Sequence, residues 1–190
     1  MESKRENYKC KQVQDFIDGK INKLIIFGNP GTGKTYALKH ILSEWAKNNA
    51  TEEIEYNYET KTSETQKIPS KSVKFITAYD LVFTCTRIFE SFNGEAGDYD
   101  EFLYRKILAI DDLGRELDRD RSIVYLTKIL SERQGQIVIS TNLDITRDDF
   151  LTRYDDRILD RLTDFQFVKF GGASWRGNSF SITEANLDVS

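Results

Sequence analysis

Three short, almost wholly apolar runs recur along the chain, at residues 23–27, 107–110 and 137–139. Each is too short for a helix and lacks polar alternation, the pattern of strands covered on both faces. Residues 73–77 and 165–170 read as two more strands. Between them, apolar residues fall at helical spacing. Leu38, Ile41, Leu42 and Trp45 share one face of a helix that runs to about Asn49. Leu81, Val82, Cys85, Ile88 and Phe89 do the same over 78–92, and Ile123, Leu126, Ile129 and Leu130 over 122–133. Residues 149–162 read as one further helix. A short helix over 8–18 turns Val13, Phe16 and Ile17 inward and stops at Asp18-Gly19-Lys20. Strands alternating with amphipathic helices predict an α/β fold, a parallel sheet with helices on both faces.

The pattern lapses twice. Residues 50–72 are rich in Glu, Thr and Ser and read as a loop or weak hairpin. Residues 93–100 read as a turn-rich connection. A chain of 190 residues fits one domain. We expect a short N-terminal helical segment at 1–20, a core at 21–178 and a tail at 179–190. No apolar run approaches the ~20 residues of a membrane span, and the charged N-terminus lacks a signal core. Cys10 and Cys85 form no metal-type or redox-type pair, so a reduced, cytoplasmic setting is expected. His40 is the only histidine, which argues against histidine catalysis and His-rich metal sites and suits a surface or helix-packing role.

The chemistry concentrates after the first strand, in Gly28-Asn29-Pro30-Gly31-Thr32-Gly33-Lys34-Thr35. These residues fit the GxxxxGK[ST] phosphate loop without a mismatch, between a strand and a helix as that loop requires. The glycines let backbone N–H groups wrap a polyphosphate, and the helix N-terminus adds its positive dipole end. Lys34 is expected at the β- and γ-phosphates and Thr35 on Mg²⁺, with contacts to the nucleotide continuing to Tyr36. The second run ends in Asp111-Asp112, an apolar strand followed by acid, as in the Walker B pattern. Asp111 is the candidate metal carboxylate, and Asp112 the acid that orients or deprotonates the attacking water. The third run ends in Ser140-Thr141-Asn142, where Asn142 is placed to touch the γ-phosphate or that water. An acid pair followed by a polar strand end suits ATPases with an extra central strand better than small-molecule kinases or GTPases.

Charge qualifies the picture. The net charge of −4 gives no bulk attraction for nucleic acid. Eight arginines lie between Arg115 and Arg161, interleaved with acids, and about half should form surface ion pairs. Arg87, Arg115, Arg119 and Arg121 are a candidate local basic patch. Tyr79, Phe83, Phe89 and Tyr104 are candidate stacking residues, most of them expected in the core.

Taken together, these segments resemble the DnaC-type AAA+ ATPases, the bacterial and phage replicative helicase loaders, with IstB-type transposition ATPases as near relatives. The resemblance rests on the phosphate loop, Ile-Asp-Asp-Leu-Gly-Arg-Glu at 110–116, Ile-Ser-Thr-Asn-Leu at 139–143, and Tyr154-Asp155-Asp156-Arg157-Ile158-Leu159-Asp160-Arg161-Leu162, in that order. It runs from about residue 8 to Arg176. It implies an AAA+ phosphate-loop domain with ATP and Mg²⁺ as cofactors. Asp111 matches the metal acid and Asp112 the catalytic acid, an Asp where many AAA+ proteins carry Glu, which implies slow turnover. Asn142 matches the sensor-1 residue, Arg161 the arginine finger acting in trans, and Arg157 a second candidate one turn away. Arg176, in Gly172-Ala173-Ser174-Trp175-Arg176, matches an arginine that senses the γ-phosphate.

The implied function is an ATP-binding and ATP-hydrolysing DNA-replication factor, from a phage or mobile element. It would assemble head-to-tail with ATP and act on single-stranded DNA, a replicative helicase or a host loader. Twenty residues follow Phe170, too few for the helical lid of most AAA+ proteins, and the helicase loaders lack that lid too. About 20 residues precede the first strand, where loaders usually carry a helicase-gripping domain. Docking would then fall to the N-terminal helix or to another chain, or the protein has another task. The alternatives are an IstB-type transposition ATPase on duplex DNA and a non-hydrolysing ATP switch or decoy that binds a host loader or helicase. A nucleotide kinase ranks last, because no acceptor-binding motif is evident.

Overall fold

The computed structural model describes residues 7–57, 62–90, 96–145 and 148–171. A 3₁₀ turn at Asn7–Lys9 leads into α1 (Lys11–Ile17), β1 (Lys23–Phe27) and α2 (Lys34–Asn48). Then come β2 (Thr51–Asn57), β3 (Thr62–Ile68), β4 (Val73–Thr77), α3 (Ala78–Glu90) and α4 (Ala96–Tyr104). The rest of the fold is β5 (Ile107–Leu113), α5 (Arg119–Glu132), β6 (Gln136–Thr141), α6 (Asp148–Arg153), α7 (Asp156–Leu162) and β7 (Gln166–Lys169).

Five strands form one sheet in the order β4-β5-β6-β1-β7, and every neighbouring pair is parallel. Successive strand residues point to opposite faces, which explains the unbroken apolar runs. Leu24, Ile26, Ala109 and Val138 pack on one face with α1 and α2. Ile25, Phe27, Leu108, Ile110 and Ile139 pack on the other with helices α3 to α7. Because all five strands run the same way, their C-terminal ends share one edge. The residues that follow β1, β5 and β6 therefore meet there, as expected of open parallel sheets. No helix among the described residues is long and apolar enough to cross a membrane.

Of the two alternatives expected over 50–72, loop or weak hairpin, the described residues show the hairpin, with β2 and β3 pairing antiparallel from Thr51↔Ile68 to Asn57↔Thr62 as a separate two-stranded sheet. The structure departs from the sequence pattern in two places. The connection expected over 93–100 contains the start of α4, whose Tyr99, Phe102 and Leu103 are buried at helical spacing. The helix expected over 149–162 is two helices. Asp155 interrupts it and caps α7, its carboxylate accepting from Arg157 N at 3.1 Å and Ile158 N at 3.3 Å.

Candidate nucleotide site

The phosphate loop is shaped by its glycines and by its own polar groups. Gly28 has φ 144°, and a Cβ there would lie 2.2 Å from the Phe170 carbonyl oxygen. That close approach is fixed from the next strand, because Phe170 N donates to Phe27 O at 2.7 Å. Gly33, at φ 90°, turns the chain into α2. Lys34 is only 5% exposed. Its Nζ donates to the carbonyls of Gly28 and Asn29, both at 2.8 Å, while Thr32 Oγ1 donates to Asn29 O at 2.9 Å. The loop is thus held in a cradle shape by internal bonds before any ligand is considered.

The facing wall is built differently. The ladder between β5 and β6 is regular to Ile110↔Ile139 and resumes at Leu113↔Thr141. Asp111 and Asp112 therefore oppose the single residue Ser140, a β-bulge that bends the strand and re-aims its side chains. Ser140 Oγ fills the bulge, donating to Asp111 Oδ1 and accepting from Asp112 N at 3.0 Å. Asp112 takes φ 57°, a left-handed conformation that Asp tolerates better than most residues. Its Oδ1 accepts from Asn142 Nδ2 at 3.0 Å. The catalytic-acid candidate and the strand-end asparagine are thus in direct contact across two strands.

Between the walls lies a cleft of about 270 Å³, lined by Pro30, Gly31, Gly33, Lys34, Thr35, Asp112, Asn142 and Arg115. Seven of these eight were expected from the sequence; Arg115 was not, and it appeared there only as part of a basic patch. Asp111 is buried within β5 and does not line the cleft. Asn29 and Thr32 shape the loop without lining the cleft, and the cleft is built without Tyr36, whose ring packs on Tyr8 and His40. The oxygen donors fit Mg²⁺ held jointly with phosphates. Thr35 brings its hydroxyl to the cleft and Asp111 is a buried carboxylate next to the lining residue Asp112, and Mg²⁺ ordinarily takes one or two carboxylates plus phosphate and water oxygens. No all-protein metal cluster occurs among the described residues.

A buried network next to the cleft escaped the sequence reading. Glu116 has a side chain with 0% exposure. It accepts from Gly114 N at 3.1 Å, from Tyr154 OH at 3.0 Å and from Arg153 Nη2 at 3.1 Å. Burial, and then the charge of Glu116, pushes the Tyr154 phenol far above its ordinary pKa, so it stays a donor. Arg153 Nη2 also donates to the Glu116 carbonyl, and Arg119 Nε reaches Arg153 O at 3.0 Å. The acid turn after β5 is thereby tied to the end of α6. Only its partners, nearly forty positions away, reveal the role of Glu116.

The two finger candidates lie on α7 and do not line the cleft of their own chain. Arg157 pairs with Asp155, with Nε to Oδ2 at 2.8 Å. Arg161 pairs with Asp160 at 2.5 Å and donates to Ser131 Oγ at 2.8 Å. Arg176 lies outside the described residues. Four of the seven described arginines between 115 and 161 form ion pairs, close to the expected half. Within the candidate basic patch, Arg121 is bound to Glu90, Arg119 donates to a backbone carbonyl, and Arg115 faces the cleft. The candidate stacking aromatics are corrected. Tyr79, Phe83, Phe89 and Tyr104 are all exposed, between 44% and 73%, rather than core. Tyr79 and Phe83 are stacked one turn apart on α3, the i, i+4 spacing that brings side chains together on a helix.

No family model and no curated protein matches the chain. Solved structures match it in fold. AMPPCP-bound DnaA from Aquifex aeolicus aligns over 90% of this chain with a TM-score of 0.61 at 17% identity. A replication initiator DnaA bound to AMPPCP and single-stranded DNA aligns over 88%, with a TM-score of 0.59 at 17% identity. The chain spans under half of each, 48% and 45% respectively. The DnaC helicase loader aligns over 88% of this chain and 90% of its own, with a TM-score of 0.64 at 18% identity. The fold is that of AAA+ phosphate-loop domains, and no helical lid follows β7 among the described residues.

Proposed function

We propose that this chain is an ATP-binding and ATP-hydrolysing replication factor of the helicase-loader type, working as a nucleotide-dependent head-to-tail oligomer on single-stranded DNA and a replicative helicase. The observation that carries this is the convergence of the loop, Asp112 and Asn142 on one cleft in an AAA+ fold. Likeness to a helicase loader over nearly its whole length, and to initiators bound to AMPPCP, supports the same reading.

In this proposal the loop N–H groups and the N-terminus of α2 hold the phosphates. Lys34 exchanges its bonds to the Gly28 and Asn29 carbonyls for phosphate oxygens. Thr35 and Asp111 would hold Mg²⁺, which would supply positive charge to offset that of the phosphate oxygens. Asp112 orients and deprotonates the attacking water, and Asn142 holds the carboxylate in place. Arg161 of a neighbouring copy supplies the finger, with Arg157 beside it. Their local pairs with aspartates are half to well exposed, and such pairs contribute only ~0–1 kcal/mol, so releasing them costs little. Arg176 is the further γ-phosphate contact.

The test combines turnover and size. We expect slow ATP hydrolysis that rises with protein concentration, and larger particles with AMPPCP, larger again with single-stranded DNA. Asp112→Asn should abolish turnover while leaving nucleotide binding. Arg161→Ala should lower turnover about 10³-fold, the lower end for a finger supplied by a neighbour. Nucleotide binding with no turnover in any assembly would favour the ATP-switch reading instead. Filaments that need duplex DNA would favour the transposition ATPase.

A further inference from the structure

We propose that Arg115 is a cation supplied by the chain's own cleft to read the terminal phosphate of the nucleotide, so that the site distinguishes a triphosphate from a diphosphate before any neighbour arrives. This rests on the nucleotide reading of the cleft.

Three observations carry it. First, Arg115 lines the cleft together with Lys34, Thr35, Asp112 and Asn142. Second, its guanidinium makes no hydrogen bond or ion pair among the described residues. Every other described arginine between 115 and 161 is engaged. Arg119 donates to a backbone carbonyl. Arg133 is buried against the carbonyls of Phe102, Arg105 and Gln136. Arg121, Arg153, Arg157 and Arg161 hold carboxylates. Third, the turn aims it. Gly114, at φ 99°, reverses the chain after β5, and Arg115 N donates to Asp112 O at 3.1 Å. That bond keeps Arg115 within one turn of the catalytic-acid candidate. A Cβ at position 114 would lie 2.7 Å from Leu143 Cδ1, so the turn is packed against the segment that carries Asn142.

The placement selects which phosphate Arg115 meets. The loop and the N-terminus of α2 grip the phosphates nearest the strand. The Asp112–Asn142 wall lines the same cleft as the loop, so in this proposal it is left to meet the terminal phosphate. A triphosphate brings added negative charge close to the Asp112 carboxylate, and a guanidinium with no partner among the described residues, lining the same cleft, offsets that repulsion. Arginine also suits the geometry, since its planar fork donates two parallel bonds to a phosphate.

The experiment is equilibrium binding of fluorescent ADP and fluorescent AMPPCP to the full chain, for wild type, Arg115→Ala, Arg115→Lys and Lys34→Ala. A lost charge-assisted bond predicts that Arg115→Ala weakens AMPPCP about tenfold and ADP less than about twofold, with Arg115→Lys in between. Thermal melting of each variant checks that this exposed position leaves folding intact. Equal weakening of both nucleotides, or no weakening of either, overturns the role of Arg115. Lys34→Ala should weaken both. If wild type itself binds neither nucleotide, the reading of the cleft fails first and this inference with it.

Discussion

The two walls of the cleft are built by opposite means. The loop wall, residues 28–35, works through backbone geometry: three glycines at positive φ, a short approach to Phe170, and carbonyls that hold Lys34. The acid wall works through side chains: a bulge filled by Ser140, a left-handed Asp112 steadied by Asn142, and a buried Glu116 below them. The backbone device draws on one approach from outside the loop, at Phe170. The side-chain device depends on β6, α6 and the segments that follow each of them, and is correspondingly easier to break from a distance.

The sharpest break should come at Glu116. Glu116→Ala leaves Arg153 without its carboxylate and Tyr154 OH and Gly114 N without their acceptor. We expect a loss of about 4 kcal/mol, as when one partner of a buried pair is removed, read by denaturant unfolding. Glu116→Gln should lose less, because it keeps an acceptor. A loss under about 1 kcal/mol for Glu116→Ala would mean that the acid wall does not depend on this network.

The loop wall has its own weak point in Gly28→Ala. The added methyl meets a backbone oxygen, which cannot rotate away as a side chain can, and the φ is one that L-residues rarely adopt. We expect about 3 kcal/mol of destabilisation, combining backbone strain with the clash. Because Gly28 begins the loop, nucleotide affinity should fall as well. Intact affinity together with intact stability would show that the approach to Phe170 is not needed.

The smallest effect is the most specific. At Asp112 the left-handed conformation predicts an inverted order of substitutions. Asp112→Ala should unfold more readily than Asp112→Gly by about 1 kcal/mol, although Ala ordinarily stabilises relative to Gly. The ordinary order would mean that the bulge relaxes once the carboxylate is gone, leaving no fixed conformation to strain the residue.

The same contrast explains what could be read from the sequence. The loop was legible because its eight residues are contiguous and each has a backbone reason. The parallel sheet was legible because doubly covered strands leave continuous apolar runs. α4 was missed because Gly94, Gly97 and the acids around it hide three inward positions, Tyr99, Phe102 and Leu103. The break between α6 and α7 was missed because helical spacing continues across it, although Asp155 carries the capping chemistry that marks a new start. Arg115 and Glu116 lay within the quoted acid segment, and their roles stayed hidden for a common reason. One stands out by having no partner among the described residues and the other by partners far along the chain, and local spacing reports neither.

The tie through Glu116 has a mechanical consequence. The turn that carries Arg115 and the helix pair that carries Arg157 and Arg161 share one buried carboxylate. The carboxylate thus joins the turn beside the cleft to the end of α6 and the residue just ahead of the α7 cap, so the acid turn and the start of the outer helix share one buried anchor.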